Sequence, residues 1–363
     1  MTARSPFAAV LAVALLAQAA PAKADFAAGV AAYKQGRYTE ALARFEPLAT
    51  GGDARAQFAL GLLYDNGEGV ARDDDAAFTW YRRAAEQGYA KAEYNLALML
   101  ERGRASAATT GADAREWYLR AARRGNTDAV TRVHDYASTG DVTAQRQLGR
   151  MYALGEGVAK SPRDAFGWFS KAAAAGDAEA AFALGVQYER GEGTPRSDEQ
   201  AARWYAAAAA ADHAAARYNL ARLQRLGRGV ARDLEAARAG YEAAAEAGLV
   251  RAQLTLAMLF EAGQGWPHDL DRALVWYIRA AKNGSAEAQV NLAYLHADGI
   301  GTAPDRIEAC ALLELARDAR PALAADNHRL LCEGLDATAQ SAVAARVAAW
   351  RAPATDAARL SAR

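Results

Sequence analysis

The sequence predicts an all-α fold, an α/α superhelix (solenoid) of stacked antiparallel helix hairpins, and three observations carry that prediction. Gly155, Gly191, Gly227, Gly263 and Gly299 fall 36 residues apart, each opening a Gly-x-Gly pair closed by Gly157, Gly193, Gly229, Gly265 and Gly301. Alanine, the best helix former, supplies 99 of the 363 residues. Nine prolines and few Val/Ile runs leave little from which to build sheets. The interior must be thin, made of helices meeting at small residues.

The first element, residues 1–24, reads as an export signal. Arg4 gives a positive start, Phe7 to Ala17 is apolar, and Ala22-Lys23-Ala24 supplies a small-x-small cleavage pattern. The apolar run is shorter than the roughly 20 residues of a membrane span, so no membrane insertion is expected after cleavage. Cleavage after Ala24 predicts a periplasmic or secreted protein. The chain carries 43 basic and 43 acidic residues. Such a balance lacks the basic stripe of a nucleic-acid binder, so no nucleic acid is expected as partner.

The repeating unit shows why hairpins must stack. Ala56, Leu60, Gly61, Leu63 and Tyr64 recur at helical spacing on a first helix that stops near Gly67. Asp73 precedes a second helix carrying Ala77, Trp80, Tyr81, Ala84 and Ala85, which stops at Gly88. The small residue at 61 recurs as Ala97, Gly149, Gly185, Ala221, Ala257 and Ala293, and is expected to let two helix backbones approach closely. No hairpin buries its apolar face alone, so neighbours must cover it.

At these residues the sequence resembles the Sel1-like repeat family, an α-solenoid relative of tetratricopeptide repeats with a longer Gly-x-Gly linker. The match is close in AQFALGLLYDNGEGVARDDDAAFTWYRRAAEQG, from Ala56, and covers roughly residues 54 to 320. The resemblance implies a right-handed superhelix that makes protein–protein contacts. Residues 25–53, with Tyr33, Gly36, Tyr38, Ala41 and Phe45, look like a plain tetratricopeptide hairpin that caps the array. Two repeats follow in 54–126, the second with the loop GRASAATTGADA in place of Gly-x-Gly. Residues 127–140 form one unpaired helix, expected to reverse or offset the stack, or else to be absorbed locally. Five repeats occupy 141–320, capping helices 321–351, and a disordered tail 352–363.

Cys310 and Cys332 are expected to form a disulfide. Their midpoint is Pro321 at the expected turn, and residues equidistant from a hairpin turn lie at the same height. Export supplies the oxidising compartment; two small buried thiols are the alternative.

Little in the chain points to catalysis. The Gly-x-Gly pairs lack the following Lys-Ser/Thr and the preceding strand of a phosphate loop, and helix stops with left-handed glycines explain them. His134, His213, His268, His296 and His328 lie in different units with no ligand-spaced partner. No catalytic motif, cofactor motif or metal set is present, and the chain is expected not to be an enzyme. Cysteine-rich members of the family linked to β-lactams carry a cysteine pair in each repeat, which this chain lacks. Asp73-Asp74-Asp75 precedes a helix, where capping suffices. Trp266 replaces the linker valines, either as an exposed anchor or as a larger plug under the loop. Gln224 and His296 stand where other units have Tyr64, Tyr152 and Tyr188, facing a groove or making a local hydrogen bond.

Three places beyond the recurrent alanine of each first helix stand Ala59, Asn95, Arg132, Gln147, Ala183, Asn219, Thr255 and Asn291. In tetratricopeptide repeats the matching position lines the concave groove and grips peptide. The resemblance therefore places Asn95, Arg132, Asn219 and Asn291 there, with Arg222 and Arg251 on neighbouring turns; alternatively these asparagines bond only to the adjacent helix. The functional expectation is an adaptor or scaffold that binds a protein or peptide partner in the cell envelope. Regulation of envelope signalling or of exopolysaccharide production, known in the family, is a further expectation. The alternatives are a structural or carbohydrate-associated envelope component and a β-lactamase-like hydrolase.

Overall fold

A computed structural model describes residues 21–104 and 114–352. The described residues hold nineteen α-helices and no strand, and the chain divides into two compact units at Ala175/Gly176. The expected export signal and tail fall almost wholly outside the described residues, as does most of the long loop of the second repeat.

The first unit begins with α1 (Pro21–Lys34) and α2 (Tyr38–Thr50), paired around Phe45. Two further pairs follow: α3 (Ala54–Asn66) with α4 (Asp74–Glu86), and α5 (Ala90–Glu101) with α6 (Ala114–Arg123). A lone helix, α7 (Thr127–Ser138), precedes α8 (Val142–Leu154) and α9 (Pro162–Ala174). The second unit contains four pairs: α10 (Ala178–Arg190) with α11 (Asp198–Ala210), α12 (Ala214–Leu226) with α13 (Leu234–Glu246), α14 (Val250–Ala262) with α15 (Leu270–Lys282), and α16 (Ala286–Asp298) with α17 (Arg306–Ala319). It closes with α18 (Pro321–Cys332) and α19 (Ala337–Arg351).

The helices begin and end where local chemistry dictates. Asp53, Asn126, Asp141, Asp177 and Ser285 accept backbone N–H bonds at the starts of first helices, and Asp73, Ser161, Ser197, Asp233, Asp269 and Asp305 do so for second helices. Gly67, Gly155, Gly191, Gly227, Gly263 and Gly299 end first helices in the left-handed conformation. The second linker glycine has a separate reason to be small. A Cβ on Gly229 would lie 2.2 Å from the carbonyl of Asp198 at the start of α11, so the linker rests directly on the preceding second helix.

At Gly61, Gly149 and Gly185 the small residue of the first helix makes room for a ring, whereas Ala221 meets Gly240 of α13, where a Cβ would lie 3.0 Å from Ala221 and 3.4 Å from the Arg217 carbonyl oxygen. A Cβ at Gly61 would lie 2.5 Å from the Tyr81 ring, and one at Gly149 or Gly185 equally close to Phe169 or Tyr205. The expected close approach of backbones therefore holds at Ala221 and gives way to a ring at the three glycines. The matching tyrosines are fully buried: Tyr81, Tyr118, Tyr205, Tyr241 and Tyr277 are at most 1% exposed.

Helix α7 enters the stack as a first helix and leaves it as a second one. Asn126 caps it at the first-helix position, and Ala129, Val133 and Ala137 are buried. At its other end the Ala137 carbonyl accepts from Gln145 Nε2 at 2.9 Å, the bond that Gln57, Gln253 and Gln289 give to second helices at Ala49, Ala245 and Ala281. The linker after α8 consequently meets the opposite end of its neighbour. A Cβ on Gly157 would strike the Ala122 carbonyl at the end of α6, whereas one on Gly69 would strike Tyr38 and Thr39 at the start of α2.

At the carboxyl end the 36-residue register outlasts the repeats. Ala324, Asn327 and Leu330 of α18 stand 36 residues after Ala288, Asn291 and Tyr294 of α16, and Ala324 is fully buried. Helix α18 is thus a further first helix. A disulfide joins Cys310 to Cys332 across the α17–α18 turn, with Cα atoms 5.6 Å apart.

Candidate functional site

A polar chain runs through the interior near the linker end of four hairpins. The buried tyrosine of the second helix donates its hydroxyl to a carboxylate on its own first helix. The pairs are Tyr81 to Asp65 at 3.2 Å, Tyr118 to Glu101 at 2.8 Å, Tyr205 to Glu189 at 2.9 Å and Tyr277 to Glu261 at 2.5 Å. The next first helix adds a third group. Asn291 Nδ2 donates to the Tyr277 hydroxyl at 3.3 Å, and Asn95 and Asn219 stand against Tyr81 and Tyr205 in the same way. Burial first, and then the carboxylates, push the Tyr81, Tyr118, Tyr205 and Tyr277 phenols far above their ordinary range.

The tyrosine and its carboxylate come and go together along the sequence, the asparagine less strictly. Where the ring is Phe169, the carboxylate position holds Ala153 and the asparagine position Ala183; where it is Leu313, the carboxylate position holds Ala297 while the asparagine position keeps Asn327. Tyr241, the exception, takes Arg225 as its partner and has Thr255 at the third place. A buried hydroxyl without an acceptor is costly, and a buried carboxylate without a donor more so. The asparagines are therefore structural before they are anything else. The acid–tyrosine partnership is the feature that sequence reasoning missed, although its co-occurrence at a fixed offset of 16 or 17 residues was a signal available in the chain.

The six residues expected to line a binding face divide between the units. Asn95 borders a cleft of the first unit with Tyr94, Lys91 and Arg124. Arg132, in the same unit, lies 3.7 Å from Glu101, whose carboxylate already accepts from Tyr118 and Tyr136. In the second unit Asn219, Arg222 and Arg251 share one cleft of about 420 Å³ with Tyr205, Tyr218, Glu189 and Arg228. Asn291 lies outside that cleft, two first helices on from Asn219.

The charge of the second-unit cleft is only partly internal. Arg222 donates to Glu189 at 2.5 Å, and Arg228 binds Asp198 through two nitrogens at 2.8 and 2.9 Å. Burial raises the Glu189 carboxyl, but the bonds from Arg222 and Tyr205 outweigh it and hold the group below its usual value. Arg190 and Arg196 reach carboxylates only loosely, at 3.8 Å from Glu192 and 3.6 Å from Asp198. Arg251 has no carboxylate within 4 Å among the described residues; its guanidinium lies 5.0 Å from the Tyr218 ring centroid. The cleft is thus a cationic hollow in which one exposed guanidinium, that of Arg251, lacks a carboxylate.

Trp266 is not an anchor. It is 4% exposed, donates Nε1 to the Leu234 carbonyl at 3.2 Å and packs on Tyr241 and Phe260. Asp73 caps α4, while Asp74 does more than complement the helix dipole: it is an ion-pair partner of Arg104. His296 is half-buried and its Nδ1 has no hydrogen-bond partner. Among the described residues, no three His, Cys, Asp or Glu side chains are grouped to hold a metal, and no helix is long and apolar enough to cross a membrane.

The model of the Sel1 repeat matches seven times, at residues 54–89, 90–126, 142–177, 178–213, 214–249, 250–285 and 286–320. The chain belongs to the Sel1 repeat family. Its Sel1 architecture is similar to the crystal structure of a Sel1 repeat protein from Oxalobacter formigenes, at 31% identity over 85% of this chain and 86% of that one, with a TM-score of 0.53. An exopolysaccharide production negative regulator of Rhizobium meliloti is 30% identical over 159 residues, 40% of this chain and 54% of that protein. A chitin synthase regulatory factor 3 of Schizosaccharomyces pombe is 31% identical over 134 residues, 36% of this chain but 12% of that protein. The matched segments thus span about half of one curated relative and a small part of the other.

Proposed function

We propose that this Sel1 repeat protein is an exported adaptor without catalytic activity, which binds a protein partner in the cell envelope through the first-helix face of its second unit. The observation that carries the reading is the cationic cleft around Asn219, Arg222 and Arg251. There the internal polar chain is complete, yet the Arg251 guanidinium still faces outward without a counter-charge. Sel1 repeats typically mediate protein interactions, and relatives named as regulators of polysaccharide production support a regulatory role. Export rests on the signal-like first 24 residues.

Affinity capture from envelope extracts of the native host, comparing the unchanged chain with an Arg222→Ala/Arg251→Ala variant, tests the adaptor. A stoichiometric protein captured by the first and lost by the second is expected. Retention of both on peptidoglycan or polysaccharide, with no protein, would point instead to a carbohydrate-associated component. Export is checked by cell fractionation and by amino-terminal sequencing, which should begin at Asp25.

A further inference from the structure

The first-helix face of the second unit changes character along its length. Six places beyond the recurrent alanine stand Arg222 on α12, Met258 on α14, Tyr294 on α16 and Leu330 on α18, each 36 residues after the last. Met258, Tyr294 and Leu330 are 49%, 41% and 78% exposed, among the few large apolar side chains of the described residues left in water. Water contact of this kind is ordinary for single residues but not for a row of three at one repeat position. Tyr294 is held in place by the bond from its hydroxyl to Asn327. The row begins beside the cationic cleft, where Arg251 on α14 lacks a carboxylate and Arg222 already holds one. Towards α18 the charges are self-paired, as in Arg329–Asp326 at 2.9 Å.

Resting on the adaptor reading, we propose that this face takes an extended segment of a protein partner, acidic at one end and apolar at the other. Its acidic side chains meet Arg251 and the arginines of the cleft; its apolar side chains cover Met258, Tyr294 and Leu330. Charge complementarity fixes the acidic end, and the exposed row fixes the apolar end. With helix pairs about 10 Å apart, the four first helices span roughly 30 Å, which a strand rising about 3.3 Å per residue covers in about nine residues. An anionic polysaccharide would satisfy the arginines but leave the apolar row in water.

The test uses the full chain and fluorescein-labelled nonapeptides, read by anisotropy. One peptide joins four Asp/Glu to Leu and Phe, and its reversed sequence covers the opposite chain direction. Controls carry Lys for the acids or acids throughout, and polygalacturonate is the unlabelled competitor. The acidic–apolar peptide, in one direction or both, should bind at least tenfold more tightly than either control. Met258→Asp/Leu330→Asp and Arg251→Glu should each weaken it tenfold or more with the circular dichroism unchanged. Equal binding of the all-acidic peptide, competition by polygalacturonate that is indifferent to Met258→Asp/Leu330→Asp, or no binding at all would overturn the proposal. If the variants still capture an envelope protein, this face is wrong and the adaptor stands. If the peptides behave as expected but no protein is captured, the adaptor reading fails alone.

Discussion

Around α3 and α5 of the amino-terminal unit, polar groups close upon one another; around α14 to α18 of the carboxy-terminal unit they stop short of doing so. Arg104 Nη2 bridges Asp65 at 2.5 Å and Asp74 at 2.7 Å, and Glu101 gathers Tyr118, Tyr136 and Arg132. Six places beyond the alanine, Leu62 of α3 and Leu98 of α5 are half-buried, whereas Asp135 of α7 and Arg150 of α8 are exposed. In the second unit the corresponding places on α14, α16 and α18 hold the exposed Met258, Tyr294 and Leu330, after the half-buried Val186 and Arg222, and Arg251 is exposed. One template thus yields a face that satisfies itself and a face with unspent charge and uncovered apolar surface. The difference shows that the repeat specifies the interior, while the outward positions are free to diverge.

Substitutions should separate the two faces. Arg104→Ala removes the guanidinium shared by Asp65 and Asp74, leaving them Tyr81 and Arg72, and should cost about 2 kcal/mol in denaturant unfolding, discounted for the partial exposure of the group. Arg251→Ala should cost less than about 0.5 kcal/mol. Hydrogen bonds from Arg104 and then Arg72 hold Asp74 at about 2. A carboxyl lowered on folding stabilises above its unfolded value and loses that contribution as pH falls through the folded one. The unchanged chain should therefore lose stability between about pH 4 and 2, and Arg104→Ala should lose less. Similar costs for the two arginine variants would erase the comparison.

The shared interior predicts a smaller effect. Tyr277→Phe removes the donor from Glu261 and should cost about 1 to 1.5 kcal/mol, without change in partner binding. Glu93 offers a sharper probe. It stands where Gln57, Gln145, Gln253 and Gln289 donate to a neighbouring carbonyl, is 1% exposed, and has an Oε2 without a partner. Burial raises its carboxyl, against the opposing pull of Arg124, whose Nε lies 3.3 Å away. A group raised on folding stabilises fully below its unfolded value and loses that contribution as pH rises through the folded one. Glu93→Gln should therefore gain about 1 kcal/mol at pH 7 and little at pH 4, as read by urea titration at both pH values; an equal gain at both would show that ionisation is not the cost. Smallest of all, Met258→Asp/Leu330→Asp should move stability by no more than about 0.5 kcal/mol, because neither side chain is part of the core.

The interior was legible because it repeats. The 36-residue glycine period, the Asp and Ser caps and the alanine positions give nearly every hairpin, and equal distance from Pro321 pairs Cys310 with Cys332. What one helix presents to the next was harder to read. Asn219 looks like a ligand-binding residue in isolation; only the hydroxyl of Tyr205, on a different helix, shows its structural task. The exposure of Met258 and Leu330 was hidden for a related reason. Their helices carry apolar residues on most sides, so periodicity does not distinguish the covered side from the open one. Helix α7 was visible as an odd member, but its double role depends on Gln145 reaching the Ala137 carbonyl.

Hydrogen–deuterium exchange of the full chain, with and without the acidic–apolar nonapeptide, tests the division of the two faces most directly. Added protection is expected on α12, α14, α16 and α18, with α3 and α5 unchanged. Protection on α3 and α5, or on the second helices α13 and α15 in place of the first, would contradict that division.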